Sequence, residues 1–147
     1  MESREAPLDD IVVRNNYNNY MATVNVSPKK YVCNRQWSSY SQVEQEIHLL
    51  KQYKHVLSNY KLFNNVHRFE VTKQGHKHLH FVCSTSEAEM ERVQAYFHGK
   101  FGMPCLNPSI CCHYTKTEVC RTHAEAYVTK EDDEVPSCCL FLRKDKH

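Results

Sequence analysis

The sequence predicts an α+β domain in which an antiparallel sheet packs against helices. The first observation is the order of the patterns along the chain, which is β-α-β-β-α-β-α-β. The second is composition, because 41% hydrophobic and 24% charged residues over 147 positions suit one globular domain. The third is that the chain has only 3 glycines and no glycine-rich phosphate loop. Folds that bind nucleotides through such a loop are therefore disfavoured.

The first strand and the first helix follow a polar segment. Residues 1–16 are predicted to be a mobile polar arm, and residues 17–147 a single domain. The first strand runs from Tyr20 to Val26 and stops before Pro28, because proline cannot donate to a sheet ladder. A helix follows over 38–60, and steps of three and four residues predict that its buried face consists of Tyr40, Val43, Ile47, Leu50 and Leu57.

The centre of the chain predicts a β-hairpin. Its strands are Val66–Thr72 and His76–Cys83, which alternate polar and apolar residues. The intervening Lys73-Gln74-Gly75 suits a three-residue loop with Gly75 in the left-handed conformation. Thr72 then lies opposite His76, and the register of the whole hairpin follows from that pair.

The rest of the chain predicts two more helices and two more strands. Ser86 with Glu89 three residues later predicts a capping box, and Gly99 or Gly102 ends the helix that it begins. The remaining elements are a strand over 109–115, a helix over 118–130 and a last strand or packing segment over 138–143.

Charge and hydropathy exclude several classes of protein. The net charge is only +2, so nucleic-acid binding would need a local basic surface. No apolar run is long enough to cross a bilayer, so we expect no membrane partner. The start, MESREAPLDD, lacks the apolar stretch of a secretory signal, which predicts an intracellular protein that is not secreted.

The 8 cysteines are expected to be reduced and packed as small hydrophobic residues. No Cys-x-x-Cys pair is present, so the common spacing of zinc ligands is missing. A zinc site is still possible, because Cys112, His113, Cys120 and His123 all have side chains that bind zinc. A structural zinc protein built on these residues is therefore one alternative.

The hairpin brings together a set of metal ligands. Alternation along a strand puts His78 and His80 on one face, with the apolar residues between them on the other. The predicted turn sets Glu70 directly opposite His78 and Arg68 opposite His80. One carboxylate and two imidazoles can bind a divalent metal and leave positions open for water or substrate. The alternative is a polar sheet face that binds no metal.

The helix over 118–130 contains a candidate nucleophile. Tyr127, Lys130 and Glu131 lie three and four residues apart, so they can share one side of the helix. A phenol is a poor nucleophile at neutral pH, but a nearby metal and cation make its attack on phosphorus feasible. The alternative is an ordinary packed tyrosine.

A basic surface accompanies these motifs. Basic residues follow the first strand and flank the hairpin turn, and aromatic side chains lie among the first group, where bases can stack. The basic residues are Lys29, Lys30, Arg35, Lys73 and Lys77, and the aromatic ones are Tyr31 and Trp37.

Taken together, these motifs resemble the N-terminal endonuclease domain of the replication initiator (Rep) proteins of circular single-stranded DNA (CRESS-DNA) viruses. Those domains belong to the HUH endonuclease superfamily, which has two histidines flanking a hydrophobic residue. The resemblance covers residues 20–133 and is carried by three motifs in order. They are Ala22–Val26, His78-Leu79-His80 preceded by Glu70, and Tyr127-Val128-Thr129-Lys130 followed by Glu131.

The resemblance implies a five-stranded antiparallel sheet of the HUH endonuclease type, which is RRM-like, with the histidines on a central strand. It implies that Glu70, His78 and His80 hold Mn²⁺ or Mg²⁺, with Glu131 as a lesser candidate ligand. It also implies that Lys130 places the nucleophile Tyr127 or balances the charge of the phosphate.

The implied function is a site-specific nick in single-stranded DNA at a stem-loop origin. A 5′-phosphotyrosine link would form and the free 3′-hydroxyl would prime rolling-circle replication; the reverse reaction would rejoin ends. Thr23 and Asn25 would lie near the DNA-reading surface, with Lys29, Lys30 and Lys77 as further DNA contacts. The family also implies replication in the host nucleus, a helicase domain in the full-length protein that is absent here, and a monomeric isolated domain.

One departure and two further alternatives stand beside this interpretation. Relatives often have a glycine where Asp132 follows Glu131, so the helix after Tyr127 can end differently. A single-tyrosine transposase of the same superfamily is one alternative, although the lysine after the tyrosine argues against it. A non-catalytic nucleic-acid binding module is the other, although histidines rather than stacking aromatic residues occupy the central strand.

Overall fold

The computed structural model describes residues 17–117, and these form an antiparallel sheet with helices packed against it. The strands are β1 (Asn18–Val24), β2 (Tyr31–Val32), β3 (Arg35–Gln36), β4 (Phe63–Val71), β5 (Lys77–Thr85) and β6 (Cys112–Lys116). The helices are α1 (Gln42–Asn59), α2 (Glu87–Phe101) and the single turn α3 (Pro108–Cys111). The predicted α+β class is confirmed.

The main sheet has four strands within the described residues, in the order β4-β5-β1-β6, and all neighbours are antiparallel. β5 and β1 are therefore the two central strands. The predicted arm over 1–16, the helix over 118–130 and the segment over 138–143 that would supply a fifth strand lie outside the described residues.

Alternation along the central strands separates two faces of the sheet. Tyr20, Ala22 and Val24 of β1 are buried towards the helices, and the residues between them lie on the other face. Aromatic contacts show that both long helices cover the first face: the Phe81 ring of β5 lies 5.2 Å from that of Tyr53 on α1 and 6.2 Å from that of Phe97 on α2. The histidine face of the sheet is the opposite one.

Helix α1 begins later than predicted because a capping box fixes its start. The Ser41 hydroxyl accepts a hydrogen bond from the Glu44 amide at 3.1 Å. The Glu44 carboxylate in turn accepts from the Ser41 amide at 2.8 Å. The preceding Trp37–Ser39 forms a 3₁₀ turn instead of the first turn of the helix.

The predicted buried face of α1 is wrong in part. Tyr40 and Leu57 pack against the core as predicted, but Val43 and Ile47 are 69% and 59% exposed. The residues that point inward are instead Gln45, Leu49, Tyr53 and Val56. Hydropathy missed this stripe because it contains a polar residue, Gln45, whose burial is compensated by hydrogen bonds to the backbone of two other segments.

Three further differences between the predicted and observed elements each have a specific structural cause. The β2–β3 hairpin was not predicted, since its turn residues Cys33 and Asn34 are both left-handed without the usual glycine. The start of the predicted strand over 109–115 is helical, because Pro108 opens α3 and Asn107 caps it.

The capping box at α2 is only half formed, and the other half is replaced by a tertiary contact. The Ser86 hydroxyl accepts a hydrogen bond from the Glu89 backbone amide at 3.2 Å, as in a capping box. The Glu89 carboxylate accepts instead from the Lys61 backbone amide at 2.6 Å.

Within residues 17–117, no helix is sufficiently long and apolar to cross a membrane.

The hairpin turn supplies a stability prediction. Gly75 has a positive, left-handed φ. Gly75→Ala should therefore lower the free energy of unfolding by about 1 kcal/mol, the usual cost of a left-handed alanine. Urea denaturation measures this change.

Gly99→Ala is the matched control for Gly75→Ala. Gly99 lies within α2, and a Cβ added there has no atom within 4 Å. It should stabilise the protein by roughly 0.5–1 kcal/mol, since alanine loses less backbone entropy than glycine in a helix. A Gly75→Ala variant as stable as the wild type would contradict the expectation.

Candidate metal centre

The hairpin has the predicted register. Glu70 of β4 pairs with His78 of β5, and Arg68 pairs with His80. The backbone closes as expected, since the Thr72 amide donates to the His76 carbonyl at 2.7 Å and Gly75 is left-handed. Side chains of directly opposed residues on one face of a sheet lie side by side.

Glu70, His78 and His80 converge on the face of the sheet that lies away from the helices. One potential ligand atom from each lies within 4.8 Å of the others. The His80 Nε2 atom is 3.7 Å from Glu70 Oε1, and the two imidazole rings are 4.5 Å apart between centroids. All three residues are buried, with exposures of 0%, 7% and 4% in chain order. Among residues 17–117, this is the only such group of three or more His, Cys, Asp or Glu side chains.

The chemistry of these donors fits a divalent metal ion. A carboxylate supplies a negative charge, and two neutral imidazoles supply nitrogen donors, so the group favours a cation. Three protein ligands leave further positions of a divalent ion open to water or substrate. This buried group could therefore hold a metal ion.

Each histidine is hydrogen-bonded by a residue of β1 or of the segment just after it. The Nδ1 atom of His80 lies 2.9 Å from the Thr23 hydroxyl, and the Nδ1 atom of His78 lies 2.9 Å from the Asn25 amide oxygen. The Asn25 backbone amide donates to the Cys111 carbonyl at 2.7 Å, which fixes this residue beyond the end of the strand. Thr23 and Asn25, predicted near the DNA-reading surface, therefore contact the candidate metal ligands.

Arg68 is a site residue whose function the sequence did not suggest. Its Nε atom lies 3.0 Å from Glu70 Oε2, and its side chain is 18% exposed. The guanidinium therefore balances a completely buried carboxylate and orients it beside His80. The pairing register of the hairpin could have indicated this function from the sequence, because it sets Arg68 opposite His80 on the same face.

The predicted DNA-binding lysines occupy different places. Lys29 is exposed and Lys30 is half-buried in the turn after β1. Lys77 alternates with His78, so its side chain lies on the helix side of β5. There its Nζ atom forms an ion pair with Glu46 at 3.0 Å. The structure thus does not bring Lys77 to the metal group.

The three predicted site residues of the last motif lie outside the described residues. They are Tyr127, Lys130 and Glu131. The structure therefore gives the position of the candidate metal ligands but not that of the candidate nucleophile.

Two ligands of the zinc alternative, Cys112 and His113, lie on opposite faces of β6. Consecutive residues of a strand point to opposite faces, so Cys112 is buried in the core while His113 is exposed. The other two ligands of that set, Cys120 and His123, lie outside the described residues.

Burial accounts for the behaviour of the core cysteines. It raises the pKa of the Cys83 and Cys111 thiols to about 12, because the charged thiolate would lose its hydration. The Cys112 pKa is raised for the same reason. The prediction of packed, reduced thiols holds for these three, whereas Cys33 and Cys105 are exposed free thiols.

A cavity of about 260 Å³ lies between the segment after β1 and the region formed by the end of α2 and α3. Its wall includes Asn25 and Pro28 on one side and Met103 and Ile110 on the other. Asn25 lines this cavity and also contacts His78, whereas none of the three candidate metal ligands lines it.

Comparison of the chain with protein-family models, with curated proteins and with solved structures finds no match.

The Arg68–Glu70 pair leads to a prediction about stability. Arg68→Met leaves the buried Glu70 carboxylate without its cation. It should lower the free energy of unfolding without metal by roughly 3 kcal/mol, the usual cost of breaking a buried ion pair. Added Mn²⁺ should restore more stability to this variant than to the wild type, since a bound cation replaces the lost charge. Thermal unfolding with EDTA and with Mn²⁺ measures both effects.

Arg35→Met is the matched control for that experiment. Arg35 pairs with Glu44 at the start of α1, and the side chains of both residues are nearly half exposed. Because exposed ion pairs contribute little, its loss should cost at most about 1 kcal/mol. Equal responses of the two variants to Mn²⁺ would show that Glu70 does not take part in metal binding.

Proposed function

We propose that this protein is a metal-dependent endonuclease and strand-joining enzyme that nicks single-stranded DNA through a tyrosine. The observation that carries the proposal is the convergence of Glu70, His78 and His80 on one face of the β4–β5 hairpin. The resemblance of the sequence to viral replication initiators gives that site its substrate, a single-stranded origin segment presented by a stem-loop.

In this proposal the metal ligands and Arg68 have distinct tasks. Glu70, His78 and His80 hold Mn²⁺ or Mg²⁺, and Glu131 is a further candidate ligand. When bound, such an ion polarises a non-bridging oxygen of the scissile phosphate and so favours attack on phosphorus. Arg68, next to Glu70, contributes positive charge on the same face, where the phosphate would approach.

Tyr127 is the proposed nucleophile, and its reaction balances without an external energy source. The phenol oxygen forms a bond to phosphorus, and the bond from phosphorus to the 3′ oxygen breaks. The phenol loses its proton, and the leaving 3′ oxygen takes one up to give a 3′-hydroxyl. One phosphodiester replaces another, so the 3′-hydroxyl can attack the 5′-phosphotyrosine link and rejoin the strand without ATP. Lys130 places the phenol or balances the phosphate charge.

Two basic residues lie near the strand that supports the histidines. Lys29 and Lys30 follow β1, the strand that supplies Thr23 and leads to Asn25 beside the histidines. We propose that DNA approaches along this side, whereas Lys77 stays paired with Glu46 on the helix side. A helicase domain in the full-length protein and action in the host nucleus belong to the same proposal.

A cleavage assay on a denaturing gel tests this function. Single-stranded stem-loop oligonucleotides with varied loops are incubated with the wild-type protein and Mn²⁺, Mg²⁺ or EDTA. We expect one cut in the loop and a metal-dependent protein–DNA adduct, both abolished in Tyr127→Phe because the nucleophilic oxygen is gone.

Tyr60→Phe is the matched control for the nucleophile, since Tyr60 caps the end of α1 and packs against the core on the helix side of the sheet, away from the metal group. It should form the adduct as the wild type does. An adduct that persists in Tyr127→Phe would show that another residue is the nucleophile. Tight DNA binding that needs no metal, without cleavage of any loop, would favour the binding-module alternative.

The metal is tested separately from cleavage. Glu70→Gln removes the negative ligand while conserving shape, so it should weaken Mn²⁺ binding by at least about 10-fold in titration calorimetry. Glu46→Gln is the control, because Glu46 pairs with Lys77 on the other side of the sheet. Equal Mn²⁺ affinities of the two variants would place the metal elsewhere.

A further inference from the structure

The two histidines are each held from the neighbouring strand by a side-chain oxygen. Thr23 pairs with His80 in the β1–β5 register. Asn25 lies one step beyond the last registered pair, Val24 with Leu79, and so reaches His78. Both contacts join Nδ1 to an oxygen at 2.9 Å. Adjacent antiparallel strands thus place an oxygen behind each imidazole.

These contacts determine which ring nitrogen carries the proton. An amide oxygen can only accept a hydrogen bond, so the bond to Asn25 requires a proton on Nδ1 of His78. A neutral imidazole has one proton, and its lone pair is then on Nε2. The Thr23 hydroxyl can accept from Nδ1 of His80 in the same way. The Nε2 atom of His80 is the one near Glu70, at 3.7 Å from Oε1.

We propose that Thr23 and Asn25 are positioning residues of the metal centre, which hold the rings of His80 and His78 and direct their Nε2 lone pairs to the metal. This inference rests on the metal-binding part of the proposed function but not on DNA cleavage. It assigns to both residues a role that differs from the DNA contact expected from the sequence.

The placement of the two residues supports this assignment. Both are partly buried, and their polar side-chain atoms face imidazoles. Asn25 is fixed further by its backbone bond to Cys111. A hydrogen-bond partner of this kind keeps a metal-binding ring in one orientation and raises the basicity of its donor nitrogen.

The first test is metal affinity without DNA, measured by Mn²⁺ titration of the full 147-residue chain. Thr23→Val and Asn25→Leu keep the approximate shape and remove the oxygen. We expect each to weaken Mn²⁺ binding by roughly 10-fold to 100-fold, the range typical of such partners. Thr23→Ser and Asn25→Asp keep an oxygen acceptor and should retain the affinity of the wild type or exceed it.

The second test reads the tautomer directly. Long-range proton–nitrogen NMR spectra of the metal-free protein, recorded above the ordinary imidazole pKa of about 6.5, identify the protonated nitrogen of each ring. The wild type should show Nδ1–H at His78, and Asn25→Leu should show a mixture of the two tautomers. A purely structural role for Asn25 would not change this signature. Should Asn25→Leu fail to fold, as judged by its thermal transition, Asn25→Ala takes its place.

The outcomes separate this inference from the proposed function. Unchanged Mn²⁺ affinity in Thr23→Val and Asn25→Leu, with weaker binding of single-stranded DNA in EDTA, would overturn the inference and make both residues DNA contacts. A wild type that binds no Mn²⁺ would overturn the inference and the metal centre together. A wild type that binds Mn²⁺ and shows the expected variant effects, but cuts no DNA, would support the inference and reject the nickase.

Discussion

The site depends on one constraint, the cross-strand register of β4 and β5. The left-handed Gly75 closes the turn, and the pairing that follows sets Glu70 opposite His78. A slip of one residue would move the carboxylate to the helix face and leave the histidines without their acidic neighbour. The core opposes such a slip, because Phe69 of β4, which packs against the core, and His67, whose ring lies 5.0 Å from that of Tyr53, would then leave the helix face.

A second constraint ties this hairpin to the rest of the fold. The Gln45 amide group donates to the Trp37 carbonyl at 3.1 Å and accepts from the Lys77 backbone amide at 2.8 Å. One buried side chain therefore connects α1, the 3₁₀ turn before it and the first residue of β5. Its hydrogen bonds offset the cost of burying an amide and set the rotation of α1 about its axis. The orientation of α1 and the position of β5 are thus coupled through Gln45.

The sequence could predict the position of the three candidate metal ligands, but not the contacts of the residues that hydrogen-bond to them. Glu70, His78 and His80 belong to one hairpin, so strand alternation and a single turn were sufficient to place them together. Their hydrogen-bonded neighbours Thr23 and Asn25 belong to a segment far away along the chain. Only the pairing of β1 with β5 brings those oxygens to the imidazoles, and no local pattern encodes that pairing.

The sequence by itself determined the α+β class, the hairpin register and a glycine as the end of α2, because each depends on short-range periodicity, turn chemistry or a cap. The tertiary structure decided which face of α1 is buried, since hydrogen bonds from other segments made Gln45 an interior residue while Val43 and Ile47 remained exposed. It also decided the histidine environment and the ion pair of Lys77 with Glu46 on α1. Those features arise from contacts between distant segments, and such contacts form only when the sheet and helices pack together.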